Sequence, residues 1–132
     1  MKVRIYYHHT DCGKVVYYAN YLKFLEEART EFFESKEIFV KELTAQGILF
    51  VVARQEIDYK RPAFYGDLLN IDTKLAALSK VRIEFEYEIK NQNGQIISNA
   101  KTIMACVDKD LKPISIPLEL YKKLGKNSVN NL

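Results

Sequence analysis

The chain has 132 residues, which suits a single domain over 1–132, and 48% of them are apolar, enough to fill a core without disulfides or metals. Lysine and arginine total 20 against 17 acidic residues, and the resulting charge of +3 is too weak for the concentrated basic surface that nucleic-acid binding requires. No apolar run approaches the roughly 20 residues that cross a bilayer, so membrane insertion is not expected.

The first third of the sequence predicts one strand and two helices. Partial alternation over 2–8 favours a strand, and a polar loop follows at 10–14. Apolar residues spaced by three and four then predict a long helix that begins between positions 16 and 19 and ends near 35 or 36. A shorter amphipathic helix over 38–46 ends at Gly47, since glycine accepts the left-handed backbone that closes many helices.

The period of the sequence changes after this glycine and predicts a meander of strands. The predicted strands cover 48–59, 67–78, 81–90 and 95–108. The dipeptide Asn93-Gly94 suits the positive φ angles of a hairpin turn, and consecutive hairpins make the strands antiparallel. A short helix over 118–124 follows, and the polar tail at 126–132 is expected to fray.

This order of elements predicts an α+β protein in which one long helix packs on an antiparallel sheet of five to six strands. A single helix covers only one face of such a sheet, so we expect a homo-oligomer. Two cysteines, Cys12 and Cys106, carry no pairing motif, and the N-terminal residues lack the apolar stretch of a secretion signal. Both observations predict a cytoplasmic protein with reduced thiols.

One segment combines a carboxylate with the start of the long helix. Asp11 lies in the polar loop just before the first helical turn, whose backbone N–H groups have no partner within the helix. Their partial positive charge favours an anion or a polarised carbonyl oxygen. The residues alone leave open whether Asp11 reacts or only caps the helix.

The segment resembles the signature of hotdog thioesterases in the branch that includes 4-hydroxybenzoyl-CoA thioesterase and the YbgC-type proteins. The matching positions are Thr10, Asp11, Gly13, 15–17 (VVY), Asn20, Tyr21 and 27–31 (EARTE), followed by 58–63 (DYKRPA) and 65–67 (YGD). The resemblance extends from residue 3 to about residue 120. Because two separate blocks occur in the expected order, it is specific.

The resemblance implies a hotdog fold, a homodimer or homotetramer with active sites at a subunit interface, and hydrolysis of acyl-CoA to a free acid and CoA without a cofactor. By position, Asp11 corresponds to the catalytic carboxylate, either as a nucleophile or as a general base for water. The N–H of Tyr18 is the candidate donor to the thioester oxygen. Many YbgC-type relatives have His at the position of Tyr18, whereas the hydroxybenzoyl branch has Tyr.

The other predicted site residues bind substrate. They are Tyr17, Asn20, Tyr21, Arg61, Lys80 and Arg82. The cations would bind the CoA phosphates, although an ordinary solvated surface is the alternative. The aromatic residues would line the acyl pocket, or else pack in the core. On the long helix, Arg29 would pair with Asp67 or reach across the subunit interface.

Other readings of the same residues are weaker. His8, His9, Asp11 and Cys12 are types that bind metals, but neighbours on a strand face opposite ways, so no metal site is expected. Cys12 lacks a partner base, which argues against a cysteine nucleophile. No histidine follows His9, which argues against a hotdog dehydratase. A non-catalytic module that binds acyl-CoA or an acyl-carrier protein is the remaining alternative.

Overall fold

The structure is a computed structural model and describes residues 1–125, so the tail at 126–132, which was predicted to fray, lies outside the described residues. The elements in chain order are β1 (Lys2–Arg4), β2 (Thr10–Asp11), β3 (Val15–Val16), α1 (Asn20–Ser35), α2 (Val40–Ala45), β4 (Leu49–Tyr59), β5 (Leu68–Leu78), β6 (Arg82–Lys90), β7 (Ile96–Val107) and α3 (Leu118–Gly125). The predicted bounds of β4 to β7 are therefore confirmed within about one residue.

Five of the strands form one antiparallel sheet in the order β1-β5-β6-β7-β4. Its faces follow from the alternation of apolar and charged residues along β6. Ile83, Phe85 and Tyr87 are buried beneath α1, whereas Glu84 and Glu86 lie on the outer face. The long helix thus covers one face of a curled sheet, as predicted, and β4 forms one of its two edges.

The core forms where α1 crosses this sheet. Phe24, Leu25, Ala28 and Phe33 project from one side of the helix and are almost fully buried. The ring of Phe33 packs edge-on against Phe85, with 5.6 Å between the centroids. Apolar spacing by three and four therefore places the helix as predicted.

The start of α1 differs from the prediction. The regular helix begins at Asn20, because the residues before it form tighter turns in which each N–H bonds the carbonyl three residues back. These bonds join Asn20 to Tyr17 (2.9 Å), Tyr21 to Tyr18 (3.3 Å) and Leu22 to Ala19 (3.2 Å). The predicted start between 16 and 19 is therefore wrong by at least one residue.

The N-terminal strand is also shorter than predicted. After β1, a 3₁₀ turn forms at Tyr7–His9, because the N–H of Tyr6 bonds Nδ1 of His9 (3.0 Å) and the Thr10 hydroxyl bonds the Tyr7 carbonyl (2.6 Å). The segment predicted as a polar loop, 10–14, instead begins with β2, which pairs with β3 just after the segment in a small antiparallel ribbon. Local side-chain bonds thus replace the extension of the strand.

The predicted helix over 38–46 is confirmed in a shorter form, α2, and Gly47 follows it with φ +77°. Within the described residues, no helix is both long enough and apolar enough to cross a membrane.

Candidate active site

A tight turn between β2 and β3 presents Asp11. The ribbon pairs Asp11 with Val15, and the N–H of Lys14 bonds the Asp11 carbonyl at 3.2 Å. Cys12 and Gly13 adopt left-handed φ angles of 53° and 75° to make this turn. The Asp11 side chain is exposed, and its Oδ1 accepts the N–H of Val15 at 3.4 Å. One carboxylate oxygen is thus oriented by the backbone, and the other is available for chemistry.

Glycine is favoured at position 13 of this turn for two reasons. Its positive φ strains any residue that has a Cβ atom. A Cβ at this position would also lie 2.7 Å from Cε2 of Tyr7, which is closer than such atoms approach. The Tyr7 ring therefore packs directly against the turn that carries Asp11.

The chain then reaches α1 with free backbone donors. The carbonyl of His9 accepts the N–H of Tyr17 (2.9 Å) and the side-chain Nδ2 of Asn20 (2.7 Å), which ties the turn to the helix start. Within residues 1–125, the N–H groups of Tyr18 and Ala19 have no hydrogen-bond partner. Two free donors thus immediately precede α1, and their contact with a thioester oxygen stays a prediction. The donor of Ala19 was not predicted from the sequence.

Two aromatic rings pack near the ring of Tyr18. Tyr18 lies 4.9 Å from Tyr17 and 6.5 Å from Tyr59, measured between ring centroids. The hydroxyl of Tyr59 donates to the Tyr18 carbonyl at 3.4 Å. Burial raises the pKa of Tyr59, so this phenol is neutral at pH 7. Tyr59 was not predicted as a site residue, although it lies in the second block of the family resemblance.

Tyr21 lies behind this cluster in the core. Only 3% of its surface is exposed, and burial raises the pKa of its phenol to about 12. Its ring packs 5.6 Å from that of Tyr59. The Asn20 amide N–H₂ already bonds the His9 carbonyl. Both residues therefore support the helix start, and direct contact of either one with substrate stays a prediction.

The predicted cations are divided between the two ends of the sheet. Arg61 follows β4 at the Asp11 end, where its N–H bonds the Ile97 carbonyl at 3.1 Å. Lys80 and Arg82 lie at the other end of the sheet, where β6 begins. The nine residues of β6 make this strand about 27 Å long, which is the distance between the two ends. All three side chains are exposed. One chain alone does not bring Lys80 and Arg82 to Asp11.

The predicted pairing of Arg29 with Asp67 is wrong. Nη1 of Arg29 donates to the hydroxyls of Tyr87 (3.2 Å) and Thr102 (3.4 Å). The Asp67 carboxylate instead accepts the N–H of Phe64 (2.8 Å) and a side-chain N–H of Gln92 (3.0 Å). The buried hydroxyls were missed because each lies at an inward position of a strand that otherwise reads as apolar.

Asp11 is absent from the lining of three recesses among residues 1–125. One of these recesses has about 480 Å³ and lies on the outer face of the sheet, among Glu56, Asp58, Lys74, Glu86 and Lys101. Most of the residues that line it are charged. The role of Asp11 as the reacting carboxylate stays a prediction. Residues 1–125 contain no cluster of His, Cys, Asp and Glu that could hold a metal.

A long helix across a curled antiparallel sheet is the hotdog fold, and Asp11 lies on the connection that leads into this helix. Residues 5–124 match the Thioesterase-like superfamily, and the chain belongs to this family. The predicted fold and family are thereby confirmed.

Known proteins are similar in sequence over most of the chain. The chain is 34% identical over 116 residues to the acyl-CoA thioester hydrolase YbgC of Escherichia coli O6:H1, which covers 87% of each chain. It is 38% identical over 126 residues to the long-chain acyl-CoA thioesterase FadM of Escherichia coli K12, covering 94% of this chain and 93% of FadM. The crystal structure of the hypothetical protein TT1821 from Thermus thermophilus superposes with a TM-score of 0.90 at 26% identity and covers 96% of both chains.

Proposed function

We propose that this protein hydrolyses acyl-CoA thioesters to a free acid and CoA, with Asp11 as the reacting carboxylate. The observation that carries this proposal is the exposed Asp11 on a turn tied to the start of α1, where Tyr18 and Ala19 have free N–H groups. The named relatives, YbgC and FadM, are thioesterases of this kind. No cofactor is required for the reaction.

The N–H groups act on the thioester oxygen. When the carbonyl carbon is attacked, this oxygen gains negative charge, and the N–H groups of Tyr18 and Ala19 donate to it without reorganising. One such donor typically contributes roughly 3–4 kcal/mol to transition-state stabilisation. The departing CoA sulfur needs little protonation, because a thiol pKa near ~8.5 makes the thiolate a good leaving group.

Asp11 has two possible roles, and both use its free oxygen. As a nucleophile, the carboxylate bonds the acyl carbon while the carbon–sulfur bond breaks, and water then hydrolyses the resulting anhydride. As a general base, it takes a proton from water while the water oxygen bonds the acyl carbon; the carbon–sulfur bond then breaks, and the proton passes to the departing CoA thiolate. Each route consumes one water and yields one acid and one CoA thiol.

We further propose that a second copy of the chain completes the site. β4 is an 11-residue edge strand with Val51 and Val52 37% and 49% exposed, and bare edges of this length tend to pair. A twofold axis beside this edge pairs β4 with its copy in antiparallel orientation. In this arrangement, the end of the second copy's sheet that carries its Lys80 and Arg82 approaches Asp11 of the first copy. These two cations can then bind the CoA phosphates.

Thiol release from a panel of acyl-CoA esters tests the chemistry. The Asp11→Asn variant should lose about 10²–10⁴-fold in turnover. Its melting temperature should change little, because Asp11 is exposed and makes one long hydrogen bond. Asp72→Asn, on the outer face of the sheet, is the matched control and should remain active. Retained activity in Asp11→Asn would contradict the proposal, and binding without thiol release by the unmodified protein would favour the non-catalytic module.

Sedimentation equilibrium tests the second copy. We expect a dimer or an assembly of dimers at assay concentrations, with activity that falls when dilution separates the subunits. A monomer with full activity would contradict the proposed completion of the site.

A further inference from the structure

His9 closes the 3₁₀ turn at Tyr7–His9 with two hydrogen bonds. Its backbone N–H donates to the Tyr6 carbonyl at 3.0 Å, and its side-chain Nδ1 accepts the N–H of Tyr6 at 3.0 Å. The residue before Tyr6 is Ile5, which is fully buried and whose N–H donates to the Asp67 carbonyl at 2.8 Å. The imidazole of His9 therefore ties the turn to a point that the core holds in place.

Three connections join this turn to the proposed reaction centre. The strand β2, which carries Asp11, follows His9 directly in the chain. The carbonyl of His9 accepts the side-chain Nδ2 of Asn20 at 2.7 Å, which ties the turn to the first residue of α1. The ring of Tyr7 packs against the turn at Gly13, where a Cβ would lie 2.7 Å from its Cε2. Opening of the 3₁₀ turn would therefore move Asp11 relative to the start of α1.

The bond between Tyr6 and His9 requires a neutral imidazole. Nδ1 accepts an N–H only while it carries a lone pair, so the ring proton lies on Nε2. A second proton, bound at Nδ1, converts this acceptor into a donor, and two donors then face each other. Because such a pair repels, protonation of His9 forces the ring away from Tyr6 and removes the bond that closes the turn.

The surroundings of this imidazole disfavour its cation. The ring is half-buried and lies edge-on against Phe24 of α1, with 5.2 Å between the centroids. The ionisable groups that face it are Tyr6 and His8 on the same turn and Lys23 on α1. Within residues 1–125, no carboxylate lies within 4.0 Å of its nitrogens. Burial, and after it the positive charges of His8 and Lys23, lower the pKa of His9 from its ordinary value of 6.5.

We propose that His9 is a positioning residue whose neutral imidazole holds Asp11 in register with the start of α1, and that protonation of this ring switches thioester hydrolysis off. The inference rests on the function proposed above, because it concerns the same carboxylate. His9 acts through the turn and takes no part in the chemical steps. Since the unfolded chain binds the proton more readily, the stability that the neutral ring gives the turn is present above pH 6.5 and is lost as the pH falls through the lowered pKa of His9.

The pH profile of thiol release from an acyl-CoA ester tests the proposal. In the unmodified protein, kcat/KM should fall by roughly threefold to thirtyfold between about pH 7.5 and about pH 5.0. The His9→Asn variant offers a side-chain oxygen near the position of Nδ1, which accepts the same N–H without titrating. This variant should keep its activity at the higher pH and lose the acid limb. The His9→Leu variant has no acceptor, so its kcat should fall by roughly tenfold to a hundredfold at both pH values, with a smaller change in KM.

His8→Asn is the matched control, because His8 is the exposed neighbour whose ring stacks on that of Tyr6 at 6.2 Å. This variant should keep the acid limb, with a midpoint at slightly higher pH, since a positive charge beside His9 is removed. Circular dichroism at each pH fixes a temperature at which all the proteins are folded. An acid limb that persists unchanged in His9→Asn, or full activity in His9→Leu, would overturn the proposal.

A failure of the proposed function would be visible separately, as absence of thiol release at every pH. Nuclear magnetic resonance then decides the role of His9 without any substrate. During a pH titration, the backbone amide signals of Asp11 and Tyr18 should shift with the midpoint of the His9 ring. Loss of this shared midpoint in His9→Asn, but not in His8→Asn, would support the proposal. Amide signals that stay unchanged through the titration of the ring would overturn it.

Discussion

The Gly13→Ala substitution examines whether the turn geometry positions Asp11. The added Cβ meets the Tyr7 ring at 2.7 Å and the backbone keeps φ at +75° only under strain. A left-handed φ costs a non-glycine residue about 1–2 kcal/mol. For a chain of this size, that loss lowers the melting temperature by about 3–8 °C. Because Tyr7 is 62% exposed, its ring can move away from the added Cβ. The contact should therefore shift the turn and the Tyr7 ring more than it lowers the free energy of unfolding.

Gly94→Ala provides the matched control. Gly94 has nearly the same φ, +76°, but nothing lies within 4 Å of its added Cβ. Both variants should therefore melt at similarly lowered temperatures in calorimetry. Only Gly13→Ala should also lose thiol release from acyl-CoA, at a temperature where both variants are folded, because only this turn carries Asp11. Equal activity in the two variants would refute the reasoning that the Gly13 turn positions the carboxylate.

Three further predictions concern the core, the pH response and CoA binding. The Phe85→Ala substitution should lower the free energy of unfolding, measured with denaturant, by about 3–5 kcal/mol, because the fully buried Phe85 ring packs under α1. A decrease of less than about 1 kcal/mol would contradict this packing. Burial raises the pKa of the Tyr21 phenol to about 12, so the folding stability that the neutral phenol contributes below pH ~10 is lost as the pH rises towards 12. The Tyr21→Phe variant should therefore lose less folding stability than the unmodified protein in an alkaline titration. Identical pH profiles of the two proteins would refute this. Lys80→Glu should raise KM for CoA esters more than it lowers kcat, with Lys74→Glu as the control, and an unchanged KM would remove Lys80 from the CoA site.

Much of the fold could be predicted from local patterns. Alternation along β6 assigned its two faces, and Gly47 marked the end of α2 because its φ is positive. The start of α1 was misplaced, since the competing three-residue turns depend on hydrogen bonds that no periodicity shows. The strand at 2–8 was too long for a similar reason, as the Tyr6–His9 bond ends it.

The candidate site was predictable only in part. Asp11 and Tyr18 are close in sequence and lie on the same connection between β1 and α1, so local reasoning could join them. Tyr59 approaches Tyr18 from a strand that lies 41 residues further along the chain, and only the folded sheet brings them together. The partners of Arg29 likewise come from two other strands, β6 and β7.

The sequence by itself determined the class of elements, the helix and sheet faces and the carboxylate at the helix start, because periodicity and turn chemistry act over a few residues. The tertiary structure decided that Lys80 lies at the opposite end of the sheet from Asp11 and that Arg29 bonds the buried hydroxyls of Tyr87 and Thr102. Strand order and register set these distances, and both depend on how residues far apart in the chain pack together.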